Sequence, residues 1–89
     1  MRIVVTEKDI RLGEKHMVGR CPIARAIKRT VPKGKLVEVE KATVRIGTFV
    51  YRLTGRLIRF VSQFDSLHGR RLVKPGQYNV PLTYGKEAA

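Results

Sequence analysis

Apolar and polar residues recur with a clear period along most of the chain, and the changes of period mark the predicted elements. The β-branched run 3–5 predicts a first strand. Thr6 is followed three residues later by Asp9, a spacing typical of a capped helix start, so one short helical turn ending at Gly13 is expected next. A longer helix is predicted over 22–31, where a Pro-Ile step opens the segment and isoleucine and valine recur at four-residue steps.

A β-hairpin is predicted in the middle of the chain from strands 42–46 and 49–53. Its turn is placed at Gly47-Thr48, because glycine suits the first position of a two-residue turn. This register pairs Ile46 with Phe49, Val44 with Tyr51 and Ala42 with Leu53 on one apolar face. Arg45 and Arg52 then lie on the opposite face, which is expected to be exposed.

Three further elements complete the pattern. A strand beginning near Leu36 precedes the hairpin and has Glu38 and Glu40 on its wet face. Thr54 is predicted to cap a second long helix that ends before a glycine. The apolar stripe of that helix consists of Leu57, Ile58, Val61, Phe64 and Leu67. Residues 77–83 alternate again and predict a last strand at a sheet edge, where a proline is tolerated.

The predicted order is β-α-β-β-β-α-β, an α+β fold in which two helices pack on one face of a small, mainly antiparallel sheet. At 89 residues the chain is expected to form one domain, 1–89. No apolar run reaches the roughly 18 to 20 residues that a membrane-spanning helix needs, and the first residues do not resemble a secretion signal. A soluble cytoplasmic protein with no membrane contact is therefore expected.

Composition adds the strongest functional signal. The chain has 19 Lys and Arg against 7 Asp and Glu, a formal charge of +12, which in a small folded domain is typical of an anionic partner. The only cysteine, Cys21, excludes an internal disulfide bond. Together with His16 and His68 it does not supply the four ligands of a structural zinc site, so neither a metal nor a cofactor is predicted.

Several segments, in this order along the chain, also carry a family resemblance. They are Val5-Thr6-Glu7-Lys8-Asp9-Ile10 with Gly13, Cys21-Pro22-Ile23-Ala24-Arg25-Ala26-Ile27, Tyr51-Arg52-Leu53, and Phe60-Val61-Ser62-Gln63-Phe64-Asp65 leading to Val73-Lys74-Pro75. They resemble a group of small, largely uncharacterised proteins of tailed bacteriophages. In that group a second cysteine often precedes the Cys-Pro-Ile step, and Val18 stands at its position here. The resemblance implies a viral accessory protein that acts in the cytoplasm of an infected bacterial host.

The candidate binding residues are cations in segments without acids. The first cluster consists of Arg20, Arg25, Lys28, Arg29, Lys33 and Lys35. Arg25, Lys28 and Arg29 are spaced to share one face of the helix predicted over 22–31. Because that helix has no acid of its own, its cations are expected to be available to an anion. The alternative is a solvated helix face.

A second cluster combines the hairpin with the following helix and consists of Arg45, Arg52, Arg56 and Arg59. Arginine binds phosphate with two parallel hydrogen bonds more readily than lysine does. Glu38 and Glu40 on the neighbouring strand can neutralise part of this face, so the hairpin cations are ranked below those of the first long helix. A third, smaller cluster consists of Arg70, Arg71 and Lys74 in a predicted loop.

Aromatic residues are predicted to serve the core more than a ligand. Phe49, Tyr51 and Phe64 lie on apolar faces, and only Tyr78 or Tyr84 in the tail is a candidate for exposure. Contact with duplex or with phosphate backbone is therefore favoured over base stacking. Catalysis is not expected, because serine, aspartate and histidine meet only at the end of one helix, whereas a catalytic triad converges from several segments.

The leading hypothesis is a non-enzymatic, phage-type accessory or anti-defence protein, a candidate inhibitor of the anti-CRISPR kind. It is expected to bind nucleic acid, or a host complex that handles nucleic acid, by replacing counterions with its basic surface. Two alternatives stay open. One is a sponge for a small anionic nucleotide signal, which requires cations around a concave pocket, and the other is a minor virion or packaging protein.

Overall fold

The structure is a computed structural model that describes residues 1–82 and the backbone of residues 86–87. In chain order its elements are β1 (Arg2–Val5), α1 (Glu7–Leu12), α2 (Pro22–Thr30), β2 (Val37–Val39), β3 (Thr43–Ile46), β4 (Phe49–Arg52), α3 (Gly55–Phe64), α4 (Gly69–Leu72), β5 (Gly76–Asn79) and β6 (Lys86–Glu87). The strand pairs among them are antiparallel. The α+β class with antiparallel pairing is therefore confirmed.

The strands are divided between two sheets, a detail that the sequence pattern did not contain. β2, β3, β4 and β6 form a four-stranded sheet in that order, and β1 pairs with β5 in a separate ribbon. This ribbon joins distant parts of the chain, with Ile3 opposite Tyr78. The sequence prediction assumed one sheet because consecutive strands usually pair, and a pairing between the two ends of the chain leaves no trace in local alternation.

The hairpin has the predicted register. Gly47 lies in the turn between β3 and β4 with a positive φ of 63°, and Val44 is opposite Tyr51. The two inward residues of β3 are buried, and Arg45 is exposed on the other face, as expected. Phe49 differs from the prediction, because it directly follows the turn at the end of the sheet and remains 44% exposed.

The helices begin as predicted, and their local hydrogen bonds show why. Thr6 Oγ1 accepts from the Asp9 backbone N–H at 3.1 Å, and Asp9 Oδ2 accepts from the Thr6 N–H at 2.9 Å, which is a complete capping box for α1. Cys21 caps α2, where its Sγ accepts from the Ala24 N–H at 3.4 Å. Thr54 Oγ1 likewise accepts from the Leu57 N–H at 3.3 Å and caps α3. All three starts are encoded locally.

The end of α3 departs from the sequence prediction. The helix stops at Phe64, so Leu67, predicted on its apolar stripe, lies beyond it and is 84% exposed. The short helix α4 then occupies part of the predicted loop. A Cβ atom built on Gly69 would lie 1.8 Å from the Phe64 carbonyl oxygen, so the chain folds back on α3 at a distance that only glycine permits.

One hydrophobic core connects the ribbon, the four-stranded sheet and the helices. Its fully buried members include Ile3 on β1, Ile27 on α2, Val44 on β3 and Phe64 on α3. Helix α2 contacts both β1 and β2, and so joins the two sheets. The described residues therefore form a single small domain, and its helices include none that is long and apolar enough to cross a membrane.

Aromatic side chains are more buried in the tail than predicted. Tyr78 is 8% exposed and meets Phe60 edge to face, with ring centroids 5.4 Å apart. Phe64 is in the core, as predicted. Tyr84, the other tail tyrosine, lies outside the described residues.

Candidate nucleic-acid interface

The two arginines of α2 contact a buried acid. Asp9 is 0% exposed, and its two carboxylate oxygens accept from the two terminal nitrogens of Arg29 at 2.6 and 2.5 Å. Arg25 Nε adds a contact of 3.3 Å to the same carboxylate. The expectation that no acid offsets these cations is therefore wrong. Asp9 belongs to α1, which packs against α2, and such a tertiary neighbour cannot be read from the composition of α2 alone.

The same network sets the proton affinity of Asp9. Burial by itself raises the pKa of this carboxyl, but the Arg29 hydrogen bond and those from Thr6 outweigh it and lower the pKa to about 2. The Arg29 guanidinium in turn has its pKa raised by the hydrogen bond to Asp9. Both groups are therefore charged at neutral pH, and the half-exposed Arg29 side chain is the partner of a buried carboxylate.

Two arginines also hold the edges of the β1–β5 ribbon. Val4 and Gln77 lie directly opposite each other in this ribbon. The Val4 carbonyl accepts from Arg29 Nη2 at 2.7 Å, and the Gln77 carbonyl accepts from Arg56 Nη1 at 3.3 Å. An open strand edge invites pairing with another chain, and at this pair both strand edges have an arginine bond instead.

Three more of the predicted cations contact protein groups. Arg20 pairs with Glu14 at 3.3 Å in an exposed position. Lys28 Nζ donates to the Gly19 carbonyl at 2.5 Å. Arg70 donates to the Gly13 carbonyl at 2.6 Å. With Arg25, Arg29 and Arg56, half of the twelve candidate binding residues are thus tied to the fold.

The other half are exposed and have no side-chain hydrogen bond or ion pair to any residue that the structure describes. They are Lys33, Lys35, Arg45, Arg52, Arg59 and Arg71. We call them the open cations. Arg59 points away from the buried stripe of α3, and Arg71 lies on α4 rather than in a loop.

Two open cations lie together on the outer face of the four-stranded sheet. Arg45 is opposite Val50 and Arg52 is opposite Thr43, so the two arginines occupy diagonal positions on adjacent strands. Such positions are roughly 7 to 8 Å apart in an antiparallel pair. Glu38 lies directly across from Arg45 on β2, as predicted, yet the two side chains form no ion pair. The predicted neutralisation is therefore incomplete.

A second group of cations surrounds an open groove between the end of α2 and β2. Lys28, Lys33 and Lys35 line this groove, which has a volume of about 550 Å³. Gly34, with a positive φ of 88°, makes the bend that brings the last two lysines into it. We call it the lysine groove.

Asp65, His16 and Cys21 carry the kinds of side chain that can ligate metals or take part in catalysis. Asp65 contacts His16, from a distant loop, rather than His68 of its own segment: the His16 N–H donates to Asp65 Oδ1 at 3.0 Å. Cys21 is buried, and burial raises the pKa of its thiol. Within residues 1–82, no three His, Cys, Asp or Glu side chains are placed to hold a metal ion.

Comparisons of the chain with family models, with curated proteins and with solved structures found no match in any of the three. Its functional interpretation therefore depends on the geometry of its charged groups.

Proposed function

We propose that this protein is a non-enzymatic binding protein that contacts the phosphate backbone of nucleic acid. Its main surface is the outer face of the four-stranded sheet, with Arg45 and Arg52 at the centre. The observation that carries the proposal is the division of the cations: Asp9 holds the arginines of α2 in the fold, whereas the sheet arginines are exposed and unpaired within residues 1–82. This reverses the ranking expected from the sequence.

Repulsion between Arg45 and Arg52 also supports the outer sheet face as the binding surface. Two guanidinium groups at diagonal strand positions repel each other, and an anion bound between them removes that cost. Guanidinium groups bind phosphate with two hydrogen bonds, and a strand of nucleic acid supplies phosphates at regular spacing. In the setting that the bacteriophage resemblance implies, occupancy of nucleic acid, or of the site where a host complex holds it, is the mechanism of an accessory or anti-defence protein.

The test replaces the two sheet arginines with neutral glutamine, so that two positive charges are lost and no new negative charge is placed beside Glu38. The double variant Arg45→Gln/Arg52→Gln is compared with Arg2→Gln/Lys8→Gln, which removes two exposed charges from β1 and α1. Affinity for a fluorescein-labelled oligonucleotide is measured by anisotropy at low salt, and folding is checked by circular dichroism. We expect the sheet variant to bind about tenfold more weakly or worse, because two phosphate contacts are lost, and the control to change much less. Equal losses in the two variants would reject the sheet face as the binding surface.

The lysine groove supports a second candidate, the sponge for a small anionic nucleotide. Lys28, Lys33 and Lys35 converge there on a concave surface, which is the arrangement that this function requires. Calorimetric titration with mononucleotides and dinucleotides tests it. Micromolar binding that is lost in Lys33→Gln/Lys35→Gln, with no binding of oligonucleotides, would favour the sponge over the nucleic-acid surface.

A further inference from the structure

A second groove differs in character from the basic surfaces. It lies between the loop of residues 14–20, the β2–β3 turn and α3, where two adjoining cavities of about 160 and 430 Å³ have His16, Lys41, Val61 and Asp65 in common. The larger volume is in the range of pockets that hold small organic groups. We call it the His16 groove.

The groove is held open by polar contacts on the loop side. His16 has a positive φ of 60°, which is uncommon for any residue other than glycine. Asp65 holds this conformation by accepting from the His16 N–H at 3.0 Å, and its second oxygen lies 3.7 Å from Nδ1. Lys15 donates to the carbonyls of Ser66 and Leu67 at 2.7 and 3.1 Å. The loop is thus fixed to the end of α3 before any ligand arrives.

The walls suit a flat, uncharged ring. Met17 from the loop and Ile58 from α3 are 44% and 36% exposed, and the imidazole of His16 is 73% exposed at the rim. Histidine rings stack on nucleobases, and the methionine sulfur makes favourable contacts with aromatic rings. Ser62 and the Asp65 carboxylate provide a donor and acceptors for the polar edge of such a ring.

The charged residues that line the His16 groove also favour an uncharged ring as its ligand. On a chain of net charge +12, this groove has two carboxylates, Glu40 and Asp65, against one lysine, Lys41. It therefore offers no attraction to a bare phosphate. Glu40 also borders the depression beside Arg45 on the outer sheet face. A strand that follows the sheet arginines can thus reach the groove across the β2–β3 turn.

We propose that the His16 groove accepts one unstacked nucleobase, supplied by a single-stranded nucleic acid whose backbone follows the outer sheet face. The inference rests on the proposed function and adds base contact to it. The base stacks on the His16 ring between the loop and α3, with its polar edge towards Ser62 and Asp65. The adjoining phosphates lie outside the groove, near Lys41.

The experiment compares two strands of about 12 nucleotides, within the site sizes of single-strand binders: an ordinary oligothymidine and an abasic strand with the same backbone. We expect the protein to prefer the ordinary strand by about five- to a hundredfold, the range typical of one stacked base. His16→Gly should abolish this preference while leaving affinity for the abasic strand unchanged, because glycine keeps the left-handed backbone and removes only the ring. The control His68→Ala alters the other histidine and should leave the preference intact.

Equal binding of the two strands by the unmodified protein, or a preference that persists in His16→Gly, would overturn the inference while leaving backbone binding in place. Failure to bind either strand, with binding to duplex DNA retained, would also overturn the inference, whereas failure to bind both the single strands and duplex DNA would reject the proposed function. In a separate measurement the groove is tested alone by adding AMP and following the methyl NMR signals of Met17 and Ile58. Signals that do not move overturn the base site. Signals that move, with an affinity for AMP equal to that for the strand, identify a free nucleotide as the source of the base.

Discussion

At the scale of single residues, Asp9 combines two structural tasks. Its carboxylate completes the capping box of α1 and also accepts from Arg29, so one buried side chain joins α1, α2 and the β1 edge. A buried carboxylate is costly unless its oxygens are occupied, and here both are. Protonation of Asp9 therefore affects more than one element.

Asp9 should make the protein sensitive to acid. Its pKa is lowered from 3.8 to about 2 on folding, so the charged form favours the folded state, and that stability is complete above pH 4 and lost as pH falls towards 2. A shift of this size corresponds to about 2 kcal/mol. In urea denaturation from pH 7 to pH 2, Asp9→Asn should be less stable than the unmodified protein at neutral pH, and this difference should shrink on acidification.

The matched control for that measurement is Glu14→Gln, which removes the exposed partner of Arg20. Exposed pairs contribute about 0 to 1 kcal/mol, so this variant should remain close to the unmodified protein throughout. A stability difference for Asp9→Asn that stays constant from pH 7 to pH 2 would mean that the carboxylate charge is not what stabilises the junction.

At the scale of single residues, the sequence predicts contacts between residues that are close along the chain. The Thr6 and Asp9 capping box is visible as a spacing of three, and the structure contains it. The partnership of Asp9 with Arg29 spans twenty positions and two helices, so no spacing rule indicates it. The only hint is that Asp9 directly precedes Ile10, which places an acid beside a core position. Which cations have an acidic partner in the fold therefore could not be obtained from charge counts.

At the scale of elements, two glycines at α3 and α4 should respond oppositely to the same substitution. Gly55 begins α3 with nothing within 4 Å of a built Cβ, whereas a Cβ on Gly69 would overlap the Phe64 carbonyl. Gly55→Ala should stabilise the protein by up to about 1 kcal/mol, because alanine lowers the entropy of the unfolded chain.

Gly69→Ala should destabilise the protein, because backbone atoms must move to admit the methyl group. Thermal melting of the two variants, with hydrogen exchange of α4, measures both effects. A Gly69→Ala protein as stable as Gly55→Ala would show that the chain does not fold back on α3 as closely as described.

The elements also divide into those that sequence predicts and those that it does not. The β3–β4 hairpin is encoded by alternation and by Gly47, both within ten residues, and the predicted register matches the pairs from Thr43–Arg52 to Ile46–Phe49, although Ala42, predicted on the apolar face, is exposed. The β1–β5 ribbon depends on a contact between Ile3 and Tyr78, and α4 depends on the close approach at Gly69. Both are consequences of tertiary packing, which local period does not record.

At the scale of the whole molecule, ion pairs within residues 1–82 involve three acids and leave most of the cations without an acidic partner. Asp9, Glu14 and Asp65 each contact a basic side chain. Within residues 1–82, Glu38 and Glu40 border the depression beside Arg45, and neither forms an ion pair with a sheet arginine. The excess positive charge is therefore presented outwards, where counterions or a polyanion must balance it.

This distribution leads to a salt dependence that can be measured. If four to six of the open cations each neutralise one phosphate of duplex DNA, the logarithm of the binding constant should fall with the logarithm of salt concentration with a slope of about −4 to −5. Arg45→Gln/Arg52→Gln should reduce the magnitude of that slope by about 2, because each lost contact removes roughly one released counterion. Arg25→Gln should leave the slope nearly unchanged, since Arg25 contacts Asp9 in the folded protein. A slope near zero for the unmodified protein would reject counterion release and indicate an acidic protein surface or a small ligand in the lysine groove. If Arg25→Gln reduces the slope more than the sheet variant does, α2 and not the outer sheet face is the main binding surface.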